Sequence, residues 1–403
     1  MAETVTTGSA AWWQRIDGPQ WRREGALCHV TFYWRDPAGS ESHSAIKRVW
    51  IYITGVTDHH QNAVPQTLSR LPGTDVWQWQ TRLPASWRGS YCFIPCERDD
   101  DFSPALFNGD APDRQLLREG WRKLLPLAIA DPLNRHSWRG GRGHAVSALS
   151  LPDAPLQPGW DLPEVPYNPP LCIDWRSQRL GNVRRVWIYT PGDNASPDRP
   201  LALLLDGQFW AESMPVWSPL ARLTREGQLP PAVYVLIDAI DTVHRSAELP
   251  CNTDFWQALQ TELLPQIQRL APHSEHPGRT LVAGQSFGGL AAMFAGLRFP
   301  QRFGCVLSQS GSYWWPTRGD RHGGVIPAKL SRGEFSPHGL RIWLEAGRRE
   351  PIIFEANQAL LQQLDKHQQP VFWRQVDGGH DALCWRGGLT AGLTALWQPL
   401  LDA

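Results

Sequence analysis

The 403-residue sequence has very few lysines and no long apolar segment. Lysine supplies only four of the 39 basic residues, and the formal net charge is zero, which argues against bulk electrostatic binding of nucleic acid. No segment approaches the roughly 18 to 20 consecutive apolar residues of a membrane span. The N-terminus lacks a basic region followed by an apolar one, so we expect no secretory signal peptide and no membrane partner.

Cysteine is also scarce. The seven cysteines are scattered and odd in number, and only Cys92 and Cys96 lie close together in sequence. A zinc site of the common kind would need a second such pair, so we predict no metal site. Reduced thiols packed as small apolar side chains fit the pattern better, and they indicate a cytoplasmic protein.

Tryptophan and arginine are abundant instead, with 22 tryptophans and nearly all of the positive charge on arginine. Arginine stacks on aromatic rings and binds planar anions in a fork, so this composition would suit an anionic aromatic ligand. Codon usage in a GC-rich genome and a tryptophan-rich core would produce the same composition.

The N-terminal third is predicted to be β structure. Its strand-like segments are rich in β-branched and aromatic residues and are separated by turn residues; they are Cys28–Trp34, Arg48–Thr54, Val76–Arg82 and Gly89–Pro95. Residues 101–150 show little strand alternation. A proline-rich stretch over 151–170 can form neither a helix nor a central strand. We therefore predict an N-terminal β-sandwich-like domain (1–150), a linker (151–170) and a second domain (171–403).

The second domain is predicted to be α/β. Short apolar runs such as Leu201–Leu205 and Arg279–Ala283 alternate with amphipathic segments such as Asp254–Leu270 and Phe287–Arg298. This alternation is typical of a mainly parallel sheet with helices on both faces.

A nucleophile motif lies at one strand-to-helix junction of this domain. Gly284-Gln285-Ser286-Phe287-Gly288 follows the apolar run ending at Ala283 and opens a helix, which is the context that gives G-x-S-x-G its meaning. The tight turn is expected to require glycine at both Gly284 and Gly288. Ser286 is therefore the predicted nucleophile of an α/β-hydrolase domain.

The general base should be a histidine that follows the serine, because the chain order in this fold is Ser, acid, His. Of the four that do, His322 and His338 lie in polar segments and His367 ends an amphipathic helix. His380, in Asp377-Gly378-Gly379-His380-Asp381, follows an apolar strand and is the predicted base. Asp377 and Asp381 are too close in sequence to orient it easily.

The acid should follow the preceding strand. Glu350 lies on the loop beyond that strand and is preferred, while Glu345 lies near the strand's end and is the alternative. An oxyanion hole needs two backbone N–H donors. Phe287, directly after the nucleophile, is predicted to supply one, and Gln208 or Gly207, after the run Leu201–Leu205, the other.

Several stretches of the chain resemble one family closely. The C-terminal part, with LLLDGQFW, VAGQSFGGLAAMFAGLRFP and FWRQVDGGHDALCWRGGL, resembles the esterase D-like α/β hydrolases and, within them, the enterochelin (enterobactin) esterases. VTFYWRDP, RVWIYITG and GSYCFIP in the N-terminal part are similar to that family's N-terminal domain. The resemblance implies a cytoplasmic serine esterase that cleaves the trilactone of ferric enterobactin into dihydroxybenzoylserine units, with Ser286, Glu350 and His380 as its triad. It implies no cofactor, because the iron belongs to the substrate.

Such a substrate is bulky, anionic and aromatic, so arginines and tryptophans near the site are candidate contacts; we selected Arg245, Arg348, Trp314 and Trp385. Arg245 could instead pair with Glu248 or Glu262. Two other functions stay open. One is an esterase D-like enzyme acting on feruloyl, S-formylglutathione or short-chain acyl esters. The other is a β-sandwich binding protein with an inactive hydrolase domain, against which the complete Ser286, Glu350 and His380 set argues.

Overall fold

The structure, a computed structural model, describes residues 5–98, 102–139, 144–192, 195–320 and 323–402. The chain forms two compact units. The first comprises Met1–Pro155 together with two short segments from late in the sequence, Arg348–Glu350 and Val376–Cys384. The second comprises Leu156–Gly347, Pro351–Gln375 and Trp385–Ala403. The chain therefore passes between the units inside the proline-rich stretch 151–170, which contains neither helix nor strand.

The described part of the first unit contains two antiparallel sheets. Their strands are β1 (Gln20–Glu24), β2 (Leu27–Arg35), β3 (Arg48–Ile53), β4 (Gln66–Thr67), β5 (Ser69–Arg70), β6 (Val76–Pro84), β7 (Arg88–Cys96), β8 (Ser137–Arg139) and β9 (Ala145–Ser150). One sheet has the order β1-β2-β6-β5 and the other β4-β3-β7-β9-β8.

These two sheets share one apolar core. Buried side chains alternate along β2, as expected for a strand with one covered face, so that Val30 and Phe32 are both buried. They belong to the same core cluster as Ile51 of β3 and Phe93 of β7, which lie in the other sheet. The predicted sandwich-like arrangement of this part of the chain is confirmed.

A helix in the segment predicted to be irregular was not anticipated. Besides the short α1 (Ala10–Trp13) near the N-terminus, the chain forms α2 (Arg114–Leu124), which has three turns. The carboxylate of its N-cap residue, Asp113, accepts the N–H groups of Gln115 and Leu116. Leu117 and Trp121 on its buried face belong to the same apolar cluster as Trp50 of β3, and the Trp121 ring lies edge-on to that of Trp50. The Asp113 cap and the spacing of the apolar residues were the sequence signals for this helix.

An eight-stranded sheet runs through the C-terminal part of the chain. Its strands are β10 (Leu171–Ser177), β11 (Asn182–Tyr189), β12 (Leu201–Leu204), β13 (Val233–Ile237), β14 (Thr280–Gln285), β15 (Cys305–Gln309), β16 (Arg341–Gly347) and β17 (Val371–Val376). Their order is β10-β11-β13-β12-β14-β15-β16-β17. The pairs from β13 through β12, β14 and β15 to β16 are parallel, whereas β10 and β11 pair in antiparallel fashion. The predicted α/β class is confirmed.

Helices connect these strands, as the alternation in the sequence predicted. They are α3 (Trp217–Arg225), α4 (Thr242–Glu248), α5 (Thr253–Ala258), α6 (Leu264–Leu270), α7 (Phe287–Arg298), α8 (Val325–Ser331), α9 (Pro351–Lys366) and α10 (Ala382–Leu401). Nearly every side chain of α7 is buried, so this helix lies inside the unit and its N-terminus is held firmly. Ser286, Glu350 and His380 each follow a strand of this sheet: β14, β16 and β17.

Candidate active site

Ser286 occupies a strained turn between β14 and α7. Its φ of 59° and ψ of −120° lie in a region that non-glycine residues rarely adopt, and it is the N-cap of α7. Its N–H donates to the Gln309 carbonyl at 3.0 Å, and its carbonyl accepts the N–H groups of Leu290 and Ser312, each at 3.1 Å. These bonds hold the strained backbone of Ser286 at the end of the strand.

The two glycines of the motif have different roles. A Cβ added at Gly284 would lie 2.2 Å from the Gly288 carbonyl oxygen, a contact that no side chain can make. A Cβ added at Gly288 would approach nothing closer than Leu205 at 3.5 Å, which is ordinary contact. The expectation that both positions require glycine is therefore wrong for Gly288. The backbone of Gly288 lies against Gly284, but a side chain at Gly288 would not meet that backbone.

The predicted oxyanion donors lie on two backbone segments of the second unit. Phe287 is the first residue of α7, where N–H groups have no partner within the helix. Gly207 follows Asp206, whose φ is 52°, and a Cβ at Gly207 would lie 2.3 Å from the Ile237 nitrogen. The chain can turn this closely only with glycine there. The next residue, Gln208, accepts the Ala239 N–H through its side chain at 2.9 Å, which fixes the loop.

Arg245 links these two segments. Its guanidinium donates to both carboxylate oxygens of Asp206, at 2.7 and 2.9 Å, and to the Gln285 carbonyl at 3.3 Å. The sequence alternatives for its partner were wrong, because Glu248 pairs with Arg184 and Glu262 binds Ser177. Burial lowers the pKa of Arg245, but the Asp206 carboxylate outweighs it and the net pKa is raised, so the side chain stays charged.

His380 and Glu350 lie together in the first unit. Nδ1 of His380 is 2.5 Å from Oε1 of Glu350, and the Glu350 carboxylate is fully covered while 15% of the His380 side chain is exposed. A carboxylate oxygen is a hydrogen-bond acceptor, so Nδ1 is the donor of this pair, and in that tautomer Nε2 is the nitrogen that can accept a proton. This arrangement can serve as an oriented general base.

Glu345, the alternative acid, contacts neighbouring strands of the sheet. Its side chain is buried in the second unit, where it accepts the Gln309 amide at 2.9 Å and forms an ion pair with Arg374 at 3.4 Å. These contacts brace β15, β16 and β17 against one another. Of the two candidate acids, the structure brings Glu350 to His380.

Two other histidines that follow the serine, His338 and His367, lie near each other. Nε2 of His367 lies 2.9 Å from the Leu330 carbonyl, and its ring is 6.4 Å from that of His338. His322 lies outside the described residues.

The four candidate ligand contacts have different partners. Arg245 forms a salt bridge with Asp206. Arg348 forms an ion pair with Asp377 at 3.3 Å and is more than half exposed. The Trp314 ring lies 5.9 Å from that of Phe287, next to the nucleophile, and the Trp385 indole donates to the Ser310 hydroxyl at 2.9 Å. Trp314 and Trp385 are thus in the second unit, and Arg348 in the first.

Among the described residues, no three His, Cys, Asp or Glu side chains are grouped so that they could hold a metal ion. Over the same part of the chain, every helix is too short or too polar to cross a bilayer. No disulfide bond joins any of the seven cysteines, all of which lie within the described residues.

Comparison with known proteins identifies the family. The family model described as enterochelin esterase, N-terminal, matches residues 29–160, and the putative esterase model matches residues 177–396. The chain is 65% identical over 397 residues to the iron(III) enterobactin esterase of Escherichia coli strain K12, with 98% of both proteins covered. The chain belongs to the enterochelin esterase family.

Solved structures of enterochelin esterases share this fold over nearly their full length. The ferric enterobactin esterase of Salmonella typhimurium is 67% identical, with a TM-score of 0.95 over 98% of this chain and 100% of that one. The Shigella flexneri enterobactin esterase, crystallised in the presence of enterobactin, is 64% identical, with a TM-score of 0.89 over the same shares.

Some residues around the candidate site of this enterochelin esterase family member were not foreseen. Asp206, the partner of Arg245, had no sequence signal beyond its place after β12. Asp381 was set aside because it is too close to His380 to orient its ring, yet its carboxylate accepts two hydrogen bonds from Ser90. No local pattern could indicate a partner 291 residues away.

Proposed function

We propose that the enzyme hydrolyses the trilactone ester bonds of ferric enterobactin and releases dihydroxybenzoylserine units. The observation that carries this proposal is the 65% identity to an iron(III) enterobactin esterase across 98% of both chains. Related Shigella flexneri structures, solved in the presence of enterobactin and of 2,3-dihydroxy-N-benzoyl-serine, support a catecholate siderophore and its fragment as ligands.

The proposed chemistry is that of a serine esterase. Ser286 Oγ attacks an ester carbonyl of the trilactone while His380 Nε2 takes the serine proton, and Glu350 holds His380 in the reactive tautomer. The oxyanion is stabilised by the N–H of Phe287 and by that of Gly207 or Gln208. His380 then gives the proton to the leaving serine hydroxyl of the siderophore. Water, activated by the same histidine, cleaves the acyl-enzyme and regenerates Ser286.

This mechanism needs no cofactor, because histidine activates the nucleophile and iron enters as part of the substrate. Repeated ester cleavage converts one hexadentate ligand into separate catecholates, so the metal is held less tightly. Trp314 is a candidate for stacking on a catecholate ring, because its ring lies beside that of Phe287. Trp385 is a second candidate, and Arg348 is a candidate for contacting the anionic chelate. Arg245 is a weaker candidate for that role, since Asp206 already occupies its fork.

A cytoplasmic location is part of the proposal. Seven free cysteines fit a reducing compartment, in which thiols persist. Burial raises the pKa of Cys92 and of Cys251 to about 12, so these two side chains behave as apolar packing groups.

The test is product chromatography after incubation with ferric enterobactin. We expect linear trimer, dimer and finally dihydroxybenzoylserine, and none of these with the Ser286→Ala variant. The competing substrates are feruloyl, S-formylglutathione and short-chain acyl esters. If kcat/KM for any of them exceeded that for ferric enterobactin, the siderophore would not be the substrate that the enzyme serves.

A further inference from the structure

The segment Val376–Cys384, here called the histidine loop, is bound tightly to strand β7. The carboxylate of Asp381, next to His380, accepts the Ser90 backbone N–H at 2.6 Å and the Ser90 hydroxyl at 3.0 Å. It also accepts the Leu383 N–H at 2.9 Å within the loop. Asp381 and Ser90 are both about 4% exposed, so this contact is sheltered from water. Hydrogen bonds to a buried charge are among the stronger ones in proteins.

The loop is attached to the same strand region on either side of His380. Before the histidine, Asp377 accepts the Ser86 hydroxyl through its side chain and the Arg88 N–H, at 3.2 Å, through its carbonyl. After the histidine, the Cys384 thiol donates to the Arg88 carbonyl at 3.4 Å. The loop therefore cannot shift along β7 without breaking bonds at both ends.

The middle of the loop is in direct backbone contact with the turn after β3. A Cβ at Gly379 would lie 2.5 Å from the Gly55 nitrogen, and a Cβ at Gly55 would lie 2.8 Å from the Gly379 nitrogen. Two glycines allow this approach, and Gly55 also has a φ of +83°. Close contact at this point limits movement of the residue that precedes His380.

The segment Arg348–Glu350, which carries the proposed acid, is hydrogen-bonded to the histidine loop and to the N-terminal part of the chain. The Arg349 N–H donates to the Gly378 carbonyl at 3.1 Å, and the Gln61 side chain donates to the Arg349 carbonyl at 2.7 Å. The Glu350 and His380 segments are thus held to each other and to residues of the N-terminal part of the chain.

We propose that Ser90, acting through Asp381, is a positioning residue for the catalytic base His380. The inference rests on the role given to His380 under the proposed function. Glu350 orients the ring of His380, but the position of the ring also depends on its backbone. A displacement of about 1 Å in a reacting group can cost on the order of 100-fold in rate, so a fixed backbone here serves the reaction. Ser90 of β7 then contributes to the chemical step through the position of His380.

The test compares four variants in the full-length protein. Ser90→Ala and Ser86→Ala each remove one hydroxyl that binds the loop, and Asp381→Asn replaces the acceptor. Ser44→Ala is the matched control, because the Ser44 hydroxyl also donates to a buried carboxylate of the β unit, that of Asp36 at 2.5 Å, without touching the loop. The substrates are p-nitrophenyl acetate and ferric enterobactin.

For Asp381→Asn we expect kcat to fall on the order of 10- to 100-fold on both substrates, with KM nearly unchanged. For Ser90→Ala and Ser86→Ala we expect kcat to fall by about 3- to 10-fold, roughly the effect of losing one hydrogen bond. Ser44→Ala should lower the free energy of unfolding about as much as Ser90→Ala does, but it should leave kcat within twofold. In a His380→Ala background, Asp381→Asn and Ser90→Ala should have no further effect, because they act through the missing base.

Several results would overturn the proposal. It is wrong if Ser90→Ala and Asp381→Asn leave kcat within twofold, or if their losses persist in the His380→Ala background. It is also wrong if the only change is a higher KM for ferric enterobactin, since that would indicate a role in binding. If Asp381→Asn does not fold, Ser90→Ala and Ser86→Ala decide. If wild-type enzyme cleaves p-nitrophenyl acetate but not ferric enterobactin, the proposed substrate fails while the acetate measurements still decide the role of Ser90.

Discussion

The carboxylate of Glu350 accepts a hydrogen bond from Nδ1 of His380 at 2.5 Å, and almost none of that carboxylate is exposed to water. The pair is joined within the first unit, although the two residues follow different strands of the sheet. In serine hydrolases a carboxylate in this position fixes the tautomer of the imidazole and stabilises the imidazolium that forms during the reaction.

Replacing Glu350 should therefore slow the chemical step. We expect Glu350→Gln to lower kcat by about 10³- to 10⁴-fold, because an amide no longer stabilises the imidazolium and can favour the wrong tautomer. Glu345→Gln should lower kcat far less and mainly reduce stability, by roughly 1–3 kcal/mol, since it weakens a buried contact with Arg374. Steady-state kinetics on both esters and urea unfolding would separate the two effects. The reverse ranking in kcat would make Glu345 the acid.

Loss of the nucleophile should abolish turnover and spare binding. Ser286→Ala removes only the hydroxyl, and loss of a serine nucleophile typically costs about 10⁴- to 10⁶-fold in rate. Binding of ferric enterobactin, followed by quenching of tryptophan fluorescence, should persist. A variant retaining a tenth of wild-type activity would exclude Ser286 as the nucleophile.

The two glycines of the motif should respond differently to alanine. Gly284→Ala forces a Cβ into the Gly288 carbonyl, so we expect about 3 kcal/mol or more of destabilisation. Gly288→Ala fits its surroundings and should change stability by less than about 1 kcal/mol, with a helix-favouring residue offsetting minor crowding. Urea unfolding followed by circular dichroism measures both. Equal losses of stability would show that the turn is crowded at both positions.

Arg245 should behave as a brace for the site. Arg245→Lys keeps the charge but loses the fork that engages both oxygens of Asp206. We expect kcat to fall about tenfold on p-nitrophenyl acetate as well as on ferric enterobactin, because the loop with Gly207 and the turn with Ser286 lose a common anchor. A rise in KM confined to the siderophore would instead make Arg245 a substrate contact.

Metal removal should not affect hydrolysis of a metal-free ester. The proposed reaction needs only Ser286, His380 and Glu350 with backbone donors, so treatment with a strong chelator should leave p-nitrophenyl acetate hydrolysis within experimental error. Re-addition of zinc, magnesium or iron should likewise have no effect. Loss of activity that one of these ions restores would require a different mechanism.

Features that depend on residues close together in sequence could be predicted from the sequence. The turn at Ser286 could be predicted because strand, glycine, serine and helix follow one another directly. The sequence favoured Glu350 and left Glu345 as the alternative, since the two lie five residues apart and only the three-dimensional course of the loop decides which one meets His380. The partner of Arg245 was misjudged because Asp206, 39 residues earlier, meets it only through the arrangement of the sheet.

The contact between Ser90 and Asp381 also bears on how the enzyme is made. The residues are 291 positions apart, and ribosomes add about 5–20 residues per second, so β7 is synthesised about 15 to 60 s before its partner. During that interval the first unit lacks the two late segments that complete it. A nascent chain thus carries an incomplete first unit in which Ser90 of β7 lacks its partner, and the proposed base His380 and acid Glu350 are both added near the end of translation.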